Sequence, residues 1–146
     1  MTGRRGALRL GLLALGAAAM PAWAAGPRIE VWKDANCGCC EGWVRHLQRA
    51  GFAAQARDVA DMAAVKRAHA VPEPLWSCHT ALLEGYVIEG HVPAGDLRRL
   101  LAERPAARGL SAPGMPASAP GMDIPGEPYD VILFGAPEGE RLFARH

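Results

Sequence analysis

The chain has 146 residues, half of them hydrophobic and 21% charged, with a formal net charge of +1. Without a basic block or a strong charge excess it offers no footprint for nucleic acid or for an anionic membrane surface. Its length suits one domain with a real core and is too short for two.

The first 24 residues read as an export signal. Arg4, Arg5 and Arg9 form a basic start, and residues 8–20 are an apolar stretch too short to span a bilayer. Ala22-Trp23-Ala24 then fits the small-x-small rule for cleavage. The order Arg4-Arg5-Gly6-Ala7-Leu8-Arg9 is a degenerate twin-arginine pattern with Ala7 at its apolar position, and the ordinary secretory route fits equally. The expectation is a signal peptide over 1–24 and a domain over 25–146, soluble once processed. An uncleaved anchor is the alternative. The leader holds three arginines and no acid, so the remainder carries 13 basic against 15 acidic residues.

Residues 29–34 (Ile-Glu-Val-Trp-Lys-Asp) alternate apolar and polar and predict a strand. After a turn of cysteines, Trp43, Val44, Leu47 and Ala50 recur at helical spacing, and Gly51 is a natural stop. A second strand is expected over 52–59 and a short helix over 62–69, closed by Val71-Pro72 and Pro74. Residues 80–83 and 86–88 predict a hairpin around Glu84-Gly85, and 96–103 a helix ending before Pro105. This order predicts an α/β, thioredoxin-like single domain. Residues 106–128 shift to Pro, Gly, Ala, Ser and Met, with Ala112-Pro113-Gly114-Met115 repeated as Ala119-Pro120-Gly121-Met122. Strand patterning resumes over 129–134 and 141–144, predicting a C-terminal β-hairpin. A long loop held at both ends is more often functional than a free tail, so 106–128 is read as a flap.

Three of the four cysteines are Cys37, Cys39 and Cys40. Cys37 and Cys40 make a C-x-x-C, and Cys39 is surplus to dithiol chemistry. Three thiolates this close repel one another unless a cation shares them, and soft metals prefer sulfur. At the junction of a strand and a helix, free N–H groups and the helix dipole favour thiolates. A disulfide scaffold would spread its cysteines further apart, although a single Cys37–Cys40 bridge suits the metal-free protein.

The fourth, Cys78, opens Ser77-Cys78-His79-Thr80 before the third strand. A thioredoxin-like fold places a cis-proline there, facing the C-x-x-C turn. Its replacement by metal-binding side chains argues against an ordinary disulfide exchanger. His79 is a candidate ligand, with a supporting or merely satisfied polar residue as the alternatives. His91, in Glu89-Gly90-His91-Val92-Pro93, is either a ligand or a surface residue closing a turn. His46 and His69 are expected on helix surfaces, and His146 at a mobile end. Met115 and Met122 project from a loop with little core to fill, and thioethers suit Cu(I) and not zinc. Copper is therefore the first choice of metal. A zinc site of Cys37, Cys40, Cys78 and His79 is the competing one.

Taken together, Cys37-Gly38-Cys39-Cys40, Ser77-Cys78-His79-Thr80, Glu89-Gly90-His91-Val92-Pro93-Ala94 and the Pro-Gly-Met loop resemble the CopG copper-resistance proteins. The resemblance covers nearly all of residues 25–146. It implies a periplasmic thioredoxin-like protein holding a thiolate-bridged cluster of several copper ions, and a role in copper tolerance through interconversion of Cu(I) and Cu(II). It implies metal ligation by Cys37, Cys39, Cys40, Cys78, His79, His91, Met115 and Met122, and other periplasmic copper-handling proteins as partners. Two other functions stay open: a thiol–disulfide oxidoreductase using Cys37 as nucleophile and Cys40 as resolving thiol, and a small zinc-stabilised adaptor.

Overall fold

The computed structural model describes residues 26–146, so the expected signal peptide over 1–24 lies outside the described residues. The elements are β1 (Arg28–Lys33), α1 (Gly38–Arg49), β2 (Ala53–Asp58), α2 (Met62–Ala68), β3 (Thr80–Leu83), β4 (Tyr86–Glu89), α3 (Ala94–Glu103), β5 (Gly109–Ser111), β6 (Asp130–Phe134) and β7 (Arg141–Arg145). The seven strands form one sheet in the order β2-β1-β3-β4-β5-β6-β7. β1 runs parallel to β2 and antiparallel to β3, β3 and β4 form the hairpin, and β6 and β7 close the far edge as a second hairpin. It is a mixed α/β single-domain fold. Among the described residues no helix is long and apolar enough to cross a membrane.

Alternation along the strands decides what each face of the sheet meets. Ile29 and Val31 of β1, Ala81 and Leu83 of β3 and Ile88 of β4 are buried with Trp43, Val44 and Leu47 of α1 and Leu97 and Leu100 of α3. The intervening Trp32 packs on His69 behind α2, with ring centroids 4.8 Å apart. Burial of whole Leu, Ile and Phe side chains contributes about 1.5–3 kcal/mol each, so the α1/α3 face supplies most of the stabilisation.

Two expectations need correcting. Residues 106–128 are not one flap, because β5 lies within them, parallel to β4 and wholly buried. The small-residue composition serves close backbone packing: a Cβ on Gly109 would sit 1.7 Å from the Val87 carbonyl oxygen. The end of the chain is also tied down. Tyr129 and His146 exchange backbone hydrogen bonds of 3.1 and 2.9 Å, and His146 Nε2 lies 2.8 Å from Asp96 Oδ2.

Candidate metal centre

Cys37 is the N-cap of α1, and its side chain makes no capping hydrogen bond. Cys39 and Cys40 therefore occupy the first helical turn, where backbone N–H groups lack intrahelical partners. A disulfide joins Cys37 to Cys40, leaving Cys39 and Cys78 as free thiols. Cys39 Sγ lies 3.5 Å from Cys37 Sγ, and Cys40 is fully buried.

Cys78 and His79 reach this turn from the loop leading into β3. Behind them a buried network fixes that loop. Glu89 of β4 accepts hydrogen bonds from Ser77 N and Thr80 Oγ1, both at 2.7 Å, and pairs with the Lys66 ammonium of α2. Lys66 Nζ also lies 3.3 Å from Thr80 Oγ1. Burial pushes the Glu89 carboxyl above its usual range, and the Lys66 charge and these donors oppose that push.

His91 arrives from the turn after β4. Gly90 has φ of +73°, and a Cβ there would meet Ser77 Oγ at 2.4 Å and the Ala112 carbonyl at 2.7 Å, so only glycine fits. Trp43 Nε1 donates to the Val92 carbonyl at 2.8 Å, holding this turn against α1. His91 Nδ1 lies 2.6 Å from the Pro120 carbonyl, which can only accept. The proton is therefore on Nδ1, and Nε2 turns its lone pair to Cys78 Sγ at 2.9 Å. Such an arrangement, one ring nitrogen donating to a carbonyl and the other free, also orients histidines that bind metals.

His79 is the odd group. Its ring packs on Trp43 with centroids 4.3 Å apart and on His91 at 5.0 Å. Nδ1 sits 3.7 Å from Cys78 Sγ, while Nε2 is buried without any hydrogen-bond partner. An orphaned buried nitrogen is costly, and natural proteins retain few unless something binds there. Burial, then the neighbouring His91 and Lys66, hold the His79 imidazole well below its usual pKa; burial also lowers that of His91, opposed by the Pro120 carbonyl and Asp123. Burial first, then Cys39, pushes the Cys78 thiol up to about 12. Burial is thus the leading cause at all three groups and favours the neutral form of each, so a metal binding there would have to displace the Cys78 proton.

Two overlapping groups emerge: Cys37, Cys39, Cys40 and Cys78, and Cys40, Cys78, His79 and His91, each with donor atoms within 4.8 Å of one another. Cys40 and Cys78 belong to both. Six of the eight residues expected from sequence thus come together; His79 joins the second group, not the cysteine trio. Each of the two methionines follows a glycine held against a cysteine-bearing segment. Gly114 accepts from Ser77 Oγ and donates to the Trp76 carbonyl at 3.1 Å, placing Met115 near Cys78 with its side chain 53% exposed. Gly121 lies against the first turn of α1, where a Cβ would be 2.8 Å from the Cys39 carbonyl, and the following Met122 is half-buried. The repeated sequence shares buried alanines (Ala112, Ala119) and positive-φ glycines (Gly114 at +68°, Gly121 at +92°) but not a conformation. The first unit runs on from β5 and bridges Ser77, whereas the second is a turn closed by Met122 N–H to the Ala119 carbonyl at 3.0 Å.

His46, expected on the surface, instead is half-buried and accepts from the Ala94 backbone N–H at 3.1 Å, at the start of α3. His69 is half-buried against Trp32. Sequence reasoning gave no role at the site to Trp43, Ser77, Thr80 and Glu89, which it named only within helix or motif patterns, and did not single out Lys66. Only the lysine and glutamate left a signal, as charges at positions that helix and strand periodicity turn inward.

Fold and site together define a mixed α/β protein with a thiol–imidazole cluster that could bind a metal. Two solved structures narrow this. Chains named "Copper resistance protein copG- Form 1" and "Copper resistance protein copG- Form 2" superpose with TM-scores of 0.77 and 0.78. Both share 40% identity over 83% of this chain and 98% of theirs. The family described as "Protein of unknown function, DUF411" matches residues 75–122, which hold Cys78, His79, His91 and both Pro-Gly-Met units. No curated protein matches. The chain belongs to the CopG family of copper resistance proteins.

Proposed function

We propose that this protein binds copper in the periplasm as part of copper tolerance. It holds more than one ion on Cys37, Cys39, Cys40, Cys78, His79 and His91, with Met115 and Met122 closing over them. The observation that carries this reading is the pair of four-donor groups sharing Cys40 and Cys78. Thiolate sulfur bridges metal ions readily, so two shared cysteines suit a multinuclear cluster and not a single structural ion. The orphaned His79 Nε2 supports the second group. Sulfur and thioether donors favour Cu(I), and imidazole nitrogens suit the oxidised ion, so cycling between Cu(I) and Cu(II) with an external electron partner is part of the proposal. The N-terminal leader supports export, and the order β2-β1-β3-β4 supports the thioredoxin-like reading.

The test is anaerobic Cu(I) titration of the fully reduced protein against a chromophoric chelator, with Cys78→Ser beside it. We expect more than one ion in the wild type. Because Cys78 serves both groups, the variant should lose most of that capacity while its fold persists. Wild-type and Cys78→Ser proteins with equal capacity would refute the shared-ligand site.

One observation favours a second reading, dithiol exchange: Cys37 and Cys40 are joined by a disulfide. Among the described residues there is no cis peptide bond, and His79 precedes β3 where an exchanger would carry its proline. A protein that reduces insulin disulfides at rates unaffected by His79→Leu would belong to that class instead.

A further inference from the structure

With the Cys37–Cys40 disulfide in place, neither four-donor group is complete, because Cys40 is shared by both. Yet the free thiol of Cys39 sits 3.5 Å from Cys37 Sγ, at sulfur–sulfur contact distance. The fully buried Cys40 sulfur faces Cys78, His79 and His91 within 4.8 Å. We infer that Cys39 is a relay thiol, which attacks Cys37 Sγ, moves the disulfide to Cys37–Cys39, and frees Cys40 to complete a soft-metal site with Cys78, His79 and His91. This inference rests on the copper reading above.

The exchange balances without an outside reductant. A Cys39–Cys37 sulfur bond forms as the Cys37–Cys40 bond breaks. Cys39 gives up its proton, and Cys40 leaves as a thiolate that takes either that proton or the metal; nothing is oxidised or reduced overall. Gly38 supplies the backbone freedom that a bridge between residues two apart requires, with nothing within 4 Å of where its Cβ would lie. Unaided, the exchange strands a buried thiol, so the original pairing holds. A soft ion that binds only the rearranged state pulls the equilibrium over by mass action. The oxidised protein is then not inert toward copper: it keeps the histidine-containing site accessible and withholds only the all-cysteine one.

Silver(I) tests this, because it mimics Cu(I) in ligand preference and cannot reduce a disulfide. Oxidised protein with two free thiols is incubated without reductant, with and without silver(I), acid-quenched, stripped of silver with chloride, and alkylated. Tandem mass spectrometry then locates the labels. We expect Cys39 and Cys78 labelled without silver and Cys40 and Cys78 labelled with it, at about one silver(I) per chain. Oxidised Cys39→Ser should bind none, while fully reduced Cys39→Ser recovers an ion on the histidine-containing site. A label remaining on Cys39 after silver binding, as when Cys39 and Cys78 hold the ion directly, overturns the relay. So does silver binding by oxidised Cys39→Ser equal to wild type. Failure of fully reduced wild type to bind silver(I) or Cu(I) would instead overturn the metal centre itself, and the relay with it.

Discussion

At one end of the sheet, two buried polar clusters lie back to back. Toward α2, Lys66, Glu89, Thr80 and the Ser77 amide satisfy one another, with Glu89 fully buried. Toward α1, His79 is equally buried and its Nε2 has no partner, while Cys37 and Cys40 are bridged and burial pushes the Cys78 thiol up to about 12. The first cluster resembles a structural network, because each of its members already has partners and no vacancy invites a ligand. The second leaves a buried nitrogen, His79 Nε2, without a partner, at a cost that a bound ion would offset. Burial alone therefore does not mark a binding site; buried donors lacking a partner do.

Breaking the satisfied cluster should have the largest effect. Lys66→Met strands the Glu89 carboxylate, and removal of one partner from a buried pair costs about 3–5 kcal/mol. The melting temperature of the metal-free protein should fall by about 10–20 °C. Lys66→Met/Glu89→Gln should recover part of the loss, since glutamine still accepts from the Ser77 amide. A Lys66→Met melt within a degree or two of wild type would mean that water, not the protein, satisfies Glu89.

Gly121→Ala should come next. Its Cβ would lie 2.6 Å from Trp43 N at a φ of +92°, so the second Pro-Gly-Met unit must lift from α1. Strain of this kind costs about 1–3 kcal/mol. The lift should also pull Pro120 from His91 and release that ring's orientation. The check is a melt paired with the NMR signal of the His91 Nδ1 proton, which should broaden or vanish.

His79→Leu should do little to the metal-free protein. The change removes an unpaired buried nitrogen, so metal-free stability should shift by no more than about 1 kcal/mol, while the histidine-containing group loses a donor. The same residue gives a pH signature. Burial holds His79 below its usual 6.5, so near that value the unfolded chain binds a proton that the native state refuses. Stability of the metal-free protein should fall as pH drops below about 6.5, by up to about 1.4 kcal/mol per pH unit from this group, and stay flat above it. His79→Leu should flatten that slope. An unaltered slope between about pH 7 and 5.5 would assign it to His46 and His91, both also lowered by burial.

Much of this contrast was legible in the sequence, and the unread part has a physical reason. Cys37, Cys39, Cys40 and Cys78 stood out because thiols are scarce and their spacing limits where they point. The element order from β1 to α3 followed from periodicity. β5 escaped because three residues, Gly-Leu-Ser, are too few to show a period, and their burial comes from backbone contact with β4. Glu89 escaped because its partners come from α2 and β3, distant in sequence. The histidine roles could not be divided either. His46 and His79 look alike in a sequence, yet one accepts from a helix N-terminus and the other has an open nitrogen.

The smallest effect is expected at the methionines, and it decides whether the open cluster ends with its cysteines and histidines. Each Pro-Gly-Met unit is anchored by its glycine, Gly114 against Ser77, which precedes Cys78, and Gly121 against the Cys39 carbonyl, so each methionine follows directly on a segment held to a cysteine-bearing one. Stiff backbone on both sides keeps the ordering cost low. Thioether sulfur donates softly and carries no charge, which favours Cu(I) over Cu(II). Met115→Leu/Met122→Leu keeps apolar bulk, so the metal-free melt should not move. Cu(I) affinity should weaken by about tenfold, or 1.4 kcal/mol, and the copper potential should shift toward easier oxidation. Of the single variants, Met122→Leu should account for more of the loss, because Met115 is 53% exposed and must move further from water to reach the metal. Unchanged affinity and potential in the double variant would make both side chains cover for the site and leave copper to the cysteines and histidines alone.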